Sequence, residues 1–213
     1  MENNKIKSFW KIGTISGMMS SIVYVLHVFI GGILWDGYNS IKQPISDLTG
    51  IDAPNARLLR GFTSVYGILA IIFAISLYVI LRNCVNKISK FEMILLIIME
   101  VSSFVGYSLF PLEGTNTGMT FQNKMHIIVT VIVVITTIGC TFFIGIGFSK
   151  IKSMKKLGLF VIGCGVIITI SGVSTGIVMA KNIPILGLIE RINIFTLQLM
   201  IFVLSFSLVK QNN

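Results

Sequence analysis

The stretch that decides the fold is HIIVTVIVVITTIGCTFFIGIGF, residues 126–148, which contains no Asp, Glu, Lys or Arg. About 20 apolar residues in an α-helix cross the roughly 30 Å hydrocarbon core of a bilayer, and this run supplies them. Five more apolar runs occupy 12–34, 61–81, 91–111, 157–180 and 186–209. The sequence therefore predicts an all-α, polytopic integral membrane helix bundle with six transmembrane helices, forming a single transmembrane domain over 1–213.

The composition supports a membrane location. The chain is 54% hydrophobic and only 12% charged, with a mean hydropathy of +0.89, whereas about a quarter of the residues of a soluble domain are charged. The net charge of +9 does not indicate nucleic-acid binding, because the cations lie in short loops beside apolar runs, where they contact lipid headgroups. Cys84, Cys140 and Cys164 form no pair with metal-site spacing and imply no disulfide framework.

The distribution of cations predicts the orientation. Eleven of the 17 Lys and Arg residues lie in the N-terminus, the second and fourth loops and the C-terminus, and cytoplasmic loops are the cation-rich ones. We therefore predict a multi-pass protein of the cell membrane with both termini in the cytoplasm. Three lysines precede the first run and resemble a signal peptide, but the run is too long for one, so we interpret it as an uncleaved span.

Small residues recur at the spacing used for helix packing in lipid. Gly13 and Gly17 are four residues apart, and so are Gly172 and Gly176. Such pairs let two helix backbones approach closely. Packing within one chain is the simpler interpretation, and a homo-oligomer interface is the alternative.

The first loop is rich in turn-forming and polar residues. Asp52 is interpreted as the N-cap of the second helix, with Pro54 in its first turn. Ser46 and Asp47 have no such simple structural role, because a glycine and a proline separate them from the next helix. They are therefore candidate functional residues.

Two histidines and a glutamate face the same predicted side. Glu113 and His126 flank the turn-rich third loop, and His27 continues a stripe of polar and small residues along the first span. A carboxylate and an imidazole in one cavity can relay a proton or hold a metal ion. The weak metal candidates are His27, Asp47, Glu113 and His126. A helix-capping or core histidine is the alternative, and no cofactor is predicted, with zinc left open.

Ionisable residues inside the apolar runs are informative because they are costly in lipid. Glu100 lies near the middle of the third run, with Ser103 and Tyr107 on the same helical face leading outward. Either Glu100 is neutral or it has a donor partner. It is a candidate for a proton or substrate path.

The last run begins with Glu190 and Arg191. Arg191 is expected to pair with Asp47 or Glu113, or to bind an anionic headgroup. A snorkelling arginine at the membrane interface is the alternative. Together these residues predict an extracytoplasmic-facing polar pocket lined by His27, Ser46, Asp47, Glu113, His126, Glu190 and Arg191.

Several of these motifs resemble a known family. The matching segments are Pro44-Ile45-Ser46-Asp47-Leu48, Ala53-Pro54-Asn55, Phe110-Pro111-Leu112-Glu113, His126 and Glu190-Arg191. They are similar to the prokaryotic membrane protein family known only as domain of unknown function 998. That resemblance covers most of the chain and implies about six spans, but no activity. Where the family often carries Ser-Glu-Leu-Gly and Phe-Pro-x-Asp, this chain departs at Asp47, Thr49 and Glu113.

Two functions remain open from the sequence. In the first, the pocket binds or transports a lipid headgroup or a small solute. In the second, the protein is a membrane-embedded, metal-dependent hydrolase acting on a lipid. The layout distantly resembles the group that includes alkaline ceramidases, but those use three histidines for zinc, whereas this chain has two. Whether the protein is an enzyme stays open.

Overall fold

A computed structural model describes residues 2–81, 87–113 and 118–212, and the side chains of 13–81, 93–113 and 118–210. Cys84 lies outside the described residues. Six α-helices follow one another along this part of the chain: α1 (Glu2–Leu34), α2 (Ala56–Leu81), α3 (Lys87–Leu109), α4 (Phe121–Ser149), α5 (Lys155–Ala180) and α6 (Leu186–Asn212). Short 3₁₀ helices cover Ile45–Thr49 and Lys152–Met154.

Five stretches of these helices are long and apolar enough to cross a membrane: Gly13–Leu34, Ala56–Leu81, Phe121–Ser149, Lys152–Ala180 and Leu186–Lys210. Met93–Leu109 in α3 forms a shorter apolar helix. Because large apolar side chains cover the outside of the helices, this surface suits lipid rather than water. The architecture is the polytopic helix bundle that the sequence predicts.

The helices close into a ring. Each packs against its neighbours in the chain, and α6 packs against α1. Because successive helices run in opposite directions, the first, third and fifth loops lie at one end, here called the loop-1 end. Glycines allow close packing: a Cβ at Gly106 would lie 2.6 Å from Val129 of α4, and one at Gly17 would lie 2.7 Å from Phe73 of α2. Gly13 and Gly17 thus pack within the chain, whereas a homo-oligomer stays a prediction.

Two helices begin before the membrane spans predicted from the sequence. Helices α2 and α4 begin at Ala56 and Phe121, before the apolar runs at 61 and 126, because polar residues near the interface continue the helices. Helix α3 ends at Leu109, two residues before Pro111, the last residue of the predicted third span. Asp52 is not the N-cap of α2, because a turn in which the Ala56 N–H donates to the Ala53 carbonyl precedes this helix.

Candidate functional site

The first loop is fastened onto the start of α6. The backbone N–H groups of Gly187 and Leu188, which lack partners within the helix, donate to the carbonyls of Lys42 (3.3 Å) and Ile41 (3.0 Å). A Cβ at Gly187 would lie 2.6 Å from the Ser40 carbonyl oxygen and closer still to that of Gln43. Only glycine at this position lets the loop lie directly on the helix.

Glu190 and Arg191 hold the same loop from the side. The Arg191 guanidinium donates to the carbonyls of Ser40 (2.7 Å) and Gln43 (3.0 Å) and to the Tyr38 hydroxyl (2.7 Å). The Glu190 carboxylate accepts the N–H of Ile45 at 2.5 Å and also that of Ser46, which are the first amides of the Ile45–Thr49 helix. A carboxylate is favourable there, because these amides lack helical partners. The expected pairing of Arg191 with Asp47 or Glu113 is replaced by bonds to main-chain oxygens.

Apolar side chains then seat the loop on the ring. Ile45 and Leu48 are buried with Val28 of α1 and Leu59 of α2, and Leu48 also lies beside Gly31. The Ile51 N–H donates to the carbonyl of Leu112 at 2.8 Å, which joins the first loop to the third. Loop 1 therefore covers the end of the ring along α6, α1 and α2.

Asp47 lies half-buried in this covering loop. Burial raises its pKa from 3.8 to about 6. Glu190 and Tyr38 are ionisable groups close enough to interact with it electrostatically. The Asp47 carboxyl binds a proton more tightly when loop 1 is seated on the ring than when the loop is released. The free energy that holds the loop on the ring therefore falls as pH rises from about 4 to about 6, and it stays lower above that range.

This pH dependence gives a testable prediction. We expect hydrogen exchange at the amides of Ile45, Gly50 and Ile51 to show loop 1 of the wild type opening more often than that of Asp47→Asn above pH 6. The difference should shrink toward pH 4. Comparison at equal pH removes the intrinsic pH dependence of exchange. Equal protection of the two proteins at every pH would contradict the account.

Glu113 and His126 form a second group, between α3 and α4. The Glu113 carboxylate accepts a hydrogen bond from the hydroxyl of Thr120, which is the N-cap of α4. The backbone N–H of Glu113 donates to Asn123 Oδ1 at 2.9 Å. His126 Nδ1 bonds to the Phe110 carbonyl at 2.8 Å, so we assign the proton to Nδ1. Both side chains thus hold the connection between the helices.

An interior polar column, defined by Tyr24, His27, Tyr66, Glu100, Tyr107, Glu190 and Gln198, connects these groups to the middle of the ring. Tyr107 packs against His126, with 5.0 Å between ring centroids, and lies near enough to Glu190 for the two ionised groups to repel each other. Tyr24 lies similarly near Glu190 and Tyr107. Since α3 does not adjoin α6 or α1 in the ring, these side chains approach one another through the interior.

The deep end of the column is a chain of hydrogen bonds. Gln198 Nε2 donates to the Tyr66 hydroxyl at 3.3 Å, and that hydroxyl donates to Glu100 Oε2 at 3.4 Å. The Tyr24 ring packs edge-on against Tyr66, with 4.7 Å between centroids. Glu100 is 2% exposed, so Tyr66 supplies the donor partner that a buried carboxyl needs. Beyond Glu100 the ring is filled by an apolar cluster that includes Phe73, Leu77, Met99, Met200 and Leu204.

His27 is the unsatisfied member of the column. It is 1% exposed, its ring lies 5.4 Å from that of Tyr24, and neither ring nitrogen has a hydrogen-bond partner. The amide oxygen of Gln198 is also buried and unpartnered. Buried polar atoms without partners are rare in folded proteins, and each needs an explanation.

The weak metal candidates do not converge. Within residues 13–81, 93–113 and 118–210, no three side chains of His, Cys, Asp and Glu are grouped so as to hold a metal ion. Zinc stays an untested prediction.

Two contributing residues were missed by the sequence reasoning. Tyr66 is one of two tyrosines in the apolar α2 run, where an aromatic residue resembles ordinary membrane-facing or core packing. Tyr38 lies in the first loop with no motif around it. Neither tyrosine carries a signal in the sequence that separates it from ordinary interfacial tyrosines.

Comparison with known proteins identifies the family. The profile of the family described as Protein of unknown function (DUF998) matches residues 18–207. The chain belongs to this family. The match to DUF998 extends from α1 to α6, so it includes both loop 1 and the interior polar column. No curated protein and no solved structure matches the chain.

Proposed function

We propose that this DUF998 protein binds, and carries across the membrane, a small polar solute or a lipid headgroup in the interior polar column. The observation that carries the proposal is His27, a fully buried imidazole with two unpartnered nitrogens. A neutral imidazole has one donor and one acceptor, and leaving both unmatched costs about 1–3 kcal/mol each. A ligand that supplies both partners recovers this free energy.

The layout of the column supports binding within the protein rather than conduction straight through it. The ionisable side chains of the column lie from the middle of the ring toward loop 1, and the other half contains the apolar cluster with buried hydroxyl groups such as those of Ser76, Thr141 and Ser205. Loop 1 covers the outer end and is held by hydrogen bonds that can be broken and remade. An occluded site of this kind, with its access controlled by a loop, suits a carrier.

The proposal is tested by ligand-induced changes in thermal stability. Purified protein is heated with a panel of amines, carboxylates, sugars and short-chain phospholipids, beside His27→Leu and the lipid-facing control Phe29→Leu. We expect at least one class to raise the Tm of the wild type and of Phe29→Leu. His27→Leu should need at least a tenfold higher concentration of that ligand for the same rise in Tm. If no class stabilises the wild type, or if His27→Leu responds equally, the proposal is wrong.

We further propose that the loop-1 end faces the outside of the cell, with both chain termini in the cytoplasm. The cation distribution supports this orientation. Exposed Ser40 and Ser153 lie at opposite ends of the ring. In intact cells carrying a variant without native cysteines, we expect an impermeant maleimide to label Ser40→Cys but not Ser153→Cys. The reverse pattern would invert the orientation.

The hydrolase alternative is supported by no arrangement among the described residues and stays untested. Membrane lipids as partners are part of the proposal, which the apolar surface supports.

A further inference from the structure

An apolar groove opens from the lipid side of the ring between α1 and α6. Its volume is about 340 Å³, and its walls include Val25 and Leu26 of α1 and Phe195 and Leu199 of α6. Leu26 and Leu199 are 45% and 53% exposed, so the groove faces the hydrocarbon of the bilayer. A volume of this size accommodates a small organic molecule.

The groove ends on a polar residue that belongs to the interior column. Gln198 lines it, is only 2% exposed, and has an unpartnered amide oxygen. Ser21 is the other polar lining residue, and its hydroxyl already donates to the main-chain carbonyls of Gln198 and Gly17. Behind Gln198 lie the Tyr66 hydroxyl and the Glu100 carboxyl. Gln198 therefore lies between the groove and an intramembrane acid.

The unmatched groups at this end of the column are hydrogen-bond acceptors. The Gln198 amide oxygen has no donor, and Glu100 has a single donor at 3.4 Å. The rings of Tyr66 and Tyr24 add π faces that attract cations. Arg60 and Arg191 donate to main-chain carbonyls of loop 1, and one buried guanidinium nitrogen of Arg60 has no partner. At Gln198 and Glu100 themselves, the unmatched hydrogen-bonding capacity is that of acceptors.

We propose that the groove admits a hydrophobic primary amine from the bilayer, whose ammonium group binds between the Gln198 amide oxygen and the Glu100 carboxylate. The ammonium group supplies the missing donors and the complementary charge, and the apolar walls accept its hydrocarbon part. This inference rests on the proposed function, since it names the ligand class and entrance of the same column. It explains how a ligand reaches the column while loop 1 covers the outer end.

The experiment compares three probes of one shape: 4-phenylbutylamine, 4-phenylbutan-1-ol and 4-phenylbutyrate. Binding to protein in lipid nanodiscs is measured by calorimetry against empty nanodiscs, which corrects for partitioning into lipid. We expect the amine to bind at least tenfold more tightly than the alcohol, and the carboxylate not to bind. Gln198→Leu should weaken amine binding at least tenfold, and Glu100→Gln at least 30-fold.

A matched pair of variants tests the entrance. Val25→Trp fills the groove, and Val173→Trp places the same bulk on the lipid-facing side of α5, where Val173 is 60% exposed. We expect amine binding to be lost in Val25→Trp alone, with both variants keeping the wild-type Tm. Tighter binding of the alcohol or carboxylate, or equal binding by the two variants, would overturn the inference. The thermal-stability test with His27→Leu separates this outcome from failure of the proposed function. If a ligand of that panel still stabilises the wild type but not His27→Leu, only the amine inference fails. If none does, the proposed function fails as well.

Discussion

Replacing Arg191 by alanine is expected to detach loop 1 from the ring. The guanidinium donates to the carbonyls of Ser40 and Gln43 and to the Tyr38 hydroxyl, and it also lies over the Tyr38 ring at 5.5 Å. A hydrogen bond to a charged group contributes about 1.5–3 kcal/mol, and these bonds share one side chain. We therefore expect seating of the loop to lose about 2–4 kcal/mol, with the helices still folded.

The measurement is the labelling rate of Ser46→Cys, since Ser46 becomes accessible when the loop lifts. Arg191→Ala should raise this rate about 30-fold or more, because 1.4 kcal/mol corresponds to a factor of ten. Arg191→Lys should lie between the alanine variant and the wild type, since an ammonium group cannot form the same forked bonds. The exposed Arg57→Ala serves as a control for lost charge at the same end of the ring. Equal rates for Arg57→Ala and Arg191→Ala would contradict the account.

The second large effect is expected at Glu100. A carboxylate near the middle of a span costs about 2.5–3.5 kcal/mol of insertion free energy, whereas leucine favours insertion, so packing alone does not explain Glu100. We expect Glu100→Gln to keep the fold, because an amide still accepts from the Tyr66 hydroxyl. Glu100→Gln removes one member of the buried charge pair between the Glu100 carboxylate and the ammonium group of the amine. This loss costs about 2–5 kcal/mol, so amine affinity should fall at least 30-fold.

Glu100→Leu separates this role from a structural one. It removes the acceptor of the Tyr66 hydroxyl as well as the charge, and Tyr66→Phe removes the donor while keeping the carboxyl. We expect both leucine and glutamine variants to lose the ligand response, and Tyr66→Phe to weaken it less. A Glu100→Leu protein with a raised Tm and an unchanged response to every ligand would show that Glu100 is a tolerated structural residue.

The fold was largely predictable because the bilayer imposes strong constraints on a chain. The lengths of the apolar runs predicted every helix, and the ends at Leu34, Leu81 and Ala180 agree with the structure. The starts of α2 and α4 were less predictable, since residues such as Arg57 and Lys124 continue a helix into the interface without any apolar signal.

The candidate site was predictable only in part. Costly polar residues in apolar runs pointed to His27, Glu100 and Arg191. Their partners did not follow from the sequence, because Arg191 bonds main-chain carbonyls, which every residue has. The ring placed Tyr66 and Gln198 beside Glu100 from three different helices, and no local spacing within one helix encodes that arrangement.

The central claim, that the interior column receives a polar ligand, is tested most directly by cysteine accessibility at two adjacent positions of α6. In a background without native cysteines, Gln198→Cys faces the column and Leu199→Cys faces lipid. The probe is 2-aminoethyl methanethiosulfonate, a small amine that reacts with hydrated thiols. We predict rapid modification of Gln198→Cys and little modification of Leu199→Cys. An unreactive Gln198→Cys, or equal reactivity at both positions, would contradict the claim.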